Sequence, residues 1–139
     1  MPTVPSILIA ASAIIVFILG ALHLLLTYWG TAFEPRDPGL LASMKTVSPR
    51  VSRQTTMWRA GIGFHASHSL GAMLFGAMYA YLALEGSGFL MRSVFLMMLG
   101  MTSMAAYLLL ARLYWFKAPF RGILLATGLY AAALIAQFA

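Results

Sequence analysis

The chain has 139 residues, of which 62% are hydrophobic and only 9% charged, and its mean hydropathy is +0.89. That balance excludes an ordinary soluble domain, where roughly a quarter of residues carry charge, and the length suits one membrane unit of about four helices of ~20 residues each. Cysteine is absent, which excludes disulfides, thiolate metal sites and thiol nucleophiles together, and the net charge of +6 falls in loops at the ends of apolar runs, where topology accounts for it without nucleic acid.

The first apolar run covers residues 7–29 and is long enough to span a bilayer. No Lys or Arg precedes it and it exceeds the length of a signal core, so it reads as a span rather than a cleaved leader. A polar loop, 30–56, follows with Glu34, Arg36, Asp37, Lys45, Arg50 and Arg53. Asp37-Pro38 has the form of an N-cap followed by a first helical residue and predicts a short amphipathic helix on the membrane surface. Ser48-Pro49 repeats the pattern and predicts an early start to the second spanning helix, with Arg50 and Arg53 on the extension.

The second run, 57–84, closes in the flexible stretch Glu85-Gly86-Ser87-Gly88. The third run, 89–111, has Arg92 near its start, able to snorkel outward. Residues 112–120 read as a basic and aromatic turn, and the fourth run is 120–138. Spans joined this way imply an all-α, antiparallel four-helix bundle forming a single membrane domain over 1–139.

Loop charges orient that bundle. Arg36, Lys45, Arg50, Arg53 and Arg59 lie in or beside the first loop, and Arg112, Lys117 and Arg121 in or beside the third, while the second has Arg92 opposed by Glu85. By the positive-inside rule the first and third loops are cytoplasmic and both termini are outside, in a multi-pass membrane protein. Tyr28, Trp29, Trp58, Tyr114 and Trp115 then mark the inner boundary, and Tyr79 and Tyr81 the outer one.

His23, His65 and His68 stand inside the first two runs. An ionisable side chain in a bilayer is costly and faces the protein interior, so the three form the default functional site. At about 1.5 Å per residue, His23 lies ~10 Å before Gly30, and His65 and His68 lie ~9 and ~14 Å after Arg59 on a helix running the other way. All three therefore occupy one layer in the cytoplasmic half, with His65 and His68 sharing a face at spacing i, i+3. Stripes of small and polar residues, Ala13, Val16, Gly20, His23 and Thr27 on one helix and Gly61, His65, His68, Ala72, Gly76 and Tyr79 on the other, predict that these faces pack together. Gly122 with Ala126 and Gly128 with Ala132 predict a packing face on the fourth helix. Tyr107, with Ser103 near it, and Thr127 fall in the same layer.

Four roles fit the histidines. They hydrogen-bond neighbouring helices structurally; they act as acid or base toward a small or lipid-like molecule, His23 and His68 being the catalytic candidates; they ligate haem, pigment or a transition metal, as a His23 and His68 pair or as all three; or they relay protons. Metal-binding bundles with histidines at this spacing also supply several glutamates, and here Glu34, just past the first helix, is the carboxylate placed to fold back, Asp37 being a cap and Glu85 on the other side. The methionines read as packing, Gly61 and Gly63 are too short a pattern for a nucleotide loop, and Ser67 and Ser69 have no acid partner for a hydrolytic triad.

The stretch from Ser48 to Gly71, containing Met57-Trp58-Arg59 and Gly63-Phe64-His65-Ala66-Ser67-His68-Ser69, together with His23-Leu24-Leu25-Leu26-Thr27 before it, resembles a family of small, uncharacterised bacterial four-helix membrane proteins. The likeness covers the first two helices and their loop, and the remainder in length and hydropathy. It implies the same fold and brings no activity. It also implies that His23 and His68 fit the family pattern while the position of His65 often holds asparagine, which disfavours three-histidine metal ligation because an amide replaces imidazole poorly on a transition metal. The expected site is a pocket of His23, Thr27, His65 and His68 with Tyr107 in its layer and Arg59 at its mouth, suited to an anionic or carbonyl-bearing amphiphile. The alternative is an accessory subunit of a larger membrane complex.

Overall fold

A computed structural model of the chain describes residues 3–138. Among the described residues there are six helices and no strands: α1 Val4–Tyr28, α2 Pro38–Thr46, α3 Met57–Leu84, α4 Phe89–Arg92, α5 Val94–Tyr114 and α6 Lys117–Phe138. Three of them, α1, α5 and α6, are long and apolar enough to cross a membrane. At 28 residues α3 has the length, but Arg59, two histidines, Ser67, Ser69 and its glycines leave it outside that group.

Helix ends follow local chemistry. Thr3 opens α1, its carbonyl accepting from the Ile7 N–H at 3.1 Å and from the Ser6 hydroxyl at 2.8 Å. The Asp37 carboxylate accepts from the Gly39 N–H at 2.8 Å with Pro38 first in the helix, as the sequence predicts. Ser48-Pro49 begins no helix. Pro49 instead starts a turn closed by the Ser52 N–H on its carbonyl, and the cap of α3 is Thr56, whose hydroxyl accepts from the Arg59 N–H at 3.3 Å. The third apolar run is interrupted at Ser93, which leaves the helical conformation and caps α5 by accepting from the Leu96 N–H. The expected turn at 112–120 shrinks to Trp115 and Phe116, because Pro119 falls in the first turn of α6, where no N–H partner is needed.

Contacts divide the chain into two compact units, Gly20–Gly71 and the remainder, formed by the chain up to Leu19 and from Ala72 onward. The larger unit holds a buried core that includes Ile9, Ala13 and Val16 of α1, Tyr79 of α3, Leu90 of α4, Met97 and Met104 of α5, and Ala126 and Tyr130 of α6. The Ser12 hydroxyl donates to the Ala126 carbonyl at 2.7 Å, an interhelical bond worth about 0.6–2 kcal/mol in apolar surroundings. Tyr79 and Tyr130, edge to face at 6.1 Å, donate to the carbonyls of Leu96 at 2.8 Å and Met97 at 3.1 Å. Gly100 makes room for them: a Cβ there would sit 2.6 Å from Tyr79 and against the Tyr130 hydroxyl.

The small-residue stripes of α1 and α3 do meet in this unit, where a Cβ on Gly76 would lie 2.6 Å from the Ala13 carbonyl. Tyr79, on the predicted packing face of α3, is only 5% exposed and its hydroxyl serves the core, whereas Tyr81 is 71% exposed. On α6, Gly122 abuts Leu19 and Ala126 is buried, but Gly128 has nothing near it and Ala132 is exposed. A helix carries small residues on more than one face, and only one pair points inward.

In the smaller unit Gly30, at φ 99°, turns the chain out of α1, a left-handed conformation that side chains disfavour. The following loop leads to α2, which buries none of its residues. The Val47 carbonyl accepts from the Met57 N–H at 2.8 Å, and Lys45 lies over the Trp58 ring at 5.7 Å, so the end of α2 is tied to the start of α3.

Candidate functional site

All three histidines belong to the smaller unit, and α1 and α3 bring them side by side. His23 Nε2 and His65 Nδ1 are 3.1 Å apart in a hydrogen bond. One nitrogen must donate and the other accept, so at least one ring of the pair is neutral. The two remaining nitrogens, His23 Nδ1 and His65 Nε2, are then complementary when both rings are neutral: one is a donor and the other an acceptor. His68, one turn beyond His65, meets the His23 ring edge to face at 5.6 Å.

Phe33 completes the cluster, and sequence reasoning missed it. Its ring stacks on His65 at 4.6 Å with 19° between planes and tilts against His23 at 4.6 Å. The available signal was Gly30 directly after an apolar helix, followed three residues later by a lone aromatic in a polar loop. Such a glycine reverses the chain, and the next apolar residue covers the helix end. Thus Phe33, rather than Glu34, returns to the histidines. Phe64 adds a second aromatic wall, parallel to His68 at 6.3 Å.

Neighbouring hydroxyls are engaged with main chain. Thr27 donates to the His23 carbonyl at 2.7 Å, Ser69 to the His65 carbonyl at 2.8 Å and Ser67 to the Phe64 carbonyl at 3.0 Å. Arg59 is exposed, its main-chain N–H taken by Thr56. Tyr107 belongs to the other unit, where its ring lies 6.4 Å from Trp115; Thr127, also there, donates to the Ile123 carbonyl.

Among the described residues no three His, Cys, Asp or Glu side chains are grouped to hold a metal ion. His23 and His65 turn their facing nitrogens toward each other. A cavity of about 280 Å³ is lined by Ser6, Ala83, Glu85, Gly88, Met91 and Gln137 with their neighbours, all of the larger unit, and by no histidine. Comparison with protein-family models, with curated proteins and with solved structures finds no match for this chain.

Proposed function

We propose that the chain crosses a bacterial inner membrane four times, through α1, α3, the α4–α5 segment and α6, as an antiparallel bundle with both termini outside and the 30–56 and 115–116 connections cytoplasmic. Its histidine cluster binds the head of an anionic or carbonyl-bearing amphiphile. The observation that carries this reading is the His23–His65 pair stacked under Phe33. A neutral imidazole pair offers a donor and an acceptor together, and aromatic walls suit a flat or apolar-tailed molecule that takes the place of the Phe33 ring.

The test is thermal stability in mild detergent with a medium-chain fatty acid, set against the alcohol of equal chain length. Stabilisation by the acid alone, abolished in His65→Ala, supports the site; equal response to both amphiphiles rejects it. A stoichiometric Soret band or bound metal in the purified protein would replace the ligand by a cofactor.

A second reading has its own observation. Gly63, Gly71 and Gly128 have open space around them, and small residues facing outward allow another helix to approach closely. On this reading the chain is an accessory subunit of a larger membrane complex, and its histidines pack or ligate haem or pigment. Gentle extraction with a stable partner supports it, and extraction of the chain alone removes it.

A further inference from the structure

The segment between Gly30 and Arg59 contains five basic residues against two acidic ones, and one of those acids, Asp37, is committed to capping α2. Arg36, Lys45, Arg50, Arg53 and Arg59 are all exposed. Apolar side chains are interleaved with them and lack cover: α2 buries no residue, Leu40 and Val47 are about half exposed, and Val51 is 92% exposed. Val51 stands at the tip of the Pro49–Ser52 turn, flanked by Arg50 and Arg53, on a backbone held by the Ser52 N–H and by the Met57 N–H bond to Val47. The segment leaves α1 where Tyr28 and Trp29 are exposed, a pair of aromatics suited to the headgroup level of a bilayer. Water leaves such apolar groups unsatisfied, and a protein partner of ordinary composition does not match so one-sided a charge. An anionic lipid surface satisfies both at once.

We propose that α2 and the 49–52 turn form an interfacial element that docks into the headgroup layer of an anionic bilayer. Arg50 and Arg53 take lipid phosphates, and Val51 and Leu40 seat at the top of the acyl chains. This surface is separate from the histidines and serves whatever they bind.

The absence of cysteine makes the experiment direct. Val51→Cys carries an environment-sensitive fluorophore on the full chain in nanodiscs of phosphatidylcholine with or without phosphatidylglycerol. Docking gives a blue-shifted emission, protected from an aqueous quencher, with phosphatidylglycerol present, and high salt reverses it. Adding Arg50→Gln and Arg53→Gln weakens the docking equilibrium at fixed phosphatidylglycerol content by roughly five-fold per charge removed. The proposal is overturned if the probe stays water-exposed in both lipids, if it is equally protected in neutral lipid, or if a nucleic acid duplex reproduces the shift in lipid-free detergent. The salt series needs only the exposed Val51 site changed, so it holds even where the arginine variant folds poorly.

Discussion

Phe33 packs against two imidazoles in the smaller unit, and their energetics can be separated. Phe33→Ala removes ring contacts worth about 0.5–1.5 kcal/mol, and His23→Ala strands the facing nitrogen of His65 at about 0.6–2 kcal/mol. Both are expected to lower the thermal midpoint in detergent. The double variant should fall short of the sum because Phe33 touches both rings. His65→Asn, which retains a donor and an acceptor, should restore part of what His65→Ala loses; no restoration would show that the imidazole shape, not its hydrogen bond, matters. Glycines give a sharper contrast. Gly76→Ala drives a methyl into the Ala13 backbone and should cost about 1–3 kcal/mol as overpacking. Gly128→Ala meets nothing and should be neutral or stabilising by up to about 1 kcal/mol through helix propensity. Unfolding of the two variants side by side checks both.

At the level of elements, the short helix and the loop turns depend on single side chains. Asp37→Ala should destabilise α2 by about 0.5–2 kcal/mol, seen as faster amide exchange within Pro38–Thr46 while the core of the larger unit keeps its protection. The turn between α3 and α4 rests on Glu85, whose carboxylate accepts from the Ser87 hydroxyl and from the main-chain N–H groups of Ser87 and Phe89. The Ser87 hydroxyl bond, followed by the two N–H bonds, holds its pKa below the ordinary carboxylate value. The folded turn therefore binds protons less readily than the unfolded chain. Its contribution is complete above the unfolded-state pKa and is lost as pH falls through the lowered folded-state value. Exchange at the Ser87 and Phe89 amides should accordingly be protected near neutrality and lose that protection in acid, and Glu85→Gln should flatten the profile. Ser93, which separates α4 from α5, shows how a polar residue inside an apolar run becomes a cap once its hydroxyl finds the Leu96 N–H.

For the whole molecule the question is how many times the chain crosses. Single cysteines at Ser52, Ser87 and Phe116, labelled from one side of sealed vesicles, should place Ser52 and Phe116 together and Ser87 opposite. Ser87 on the same side as Ser52 would mean that α3 does not cross. Composition and the lengths of the apolar runs were enough to read a helical chain with apolar helices of membrane-crossing length, because hydropathy accumulates from residues near one another in sequence. The Asp37-Pro38 cap was legible for the same reason: its donor and acceptor are two residues apart. The Ser48-Pro49 start was misread because Thr56 offers an equally good local cap eight residues on, next to the apolar run. That His23 and His65 come level on opposed helices was readable from helical rise, and the opposed stripes on α1 and α3 from helical period. That Gly128 turns outward and Phe33 back onto two imidazoles was decided only by tertiary structure. A helical repeat defines faces, but which face is covered depends on side chains brought from distant parts of the chain.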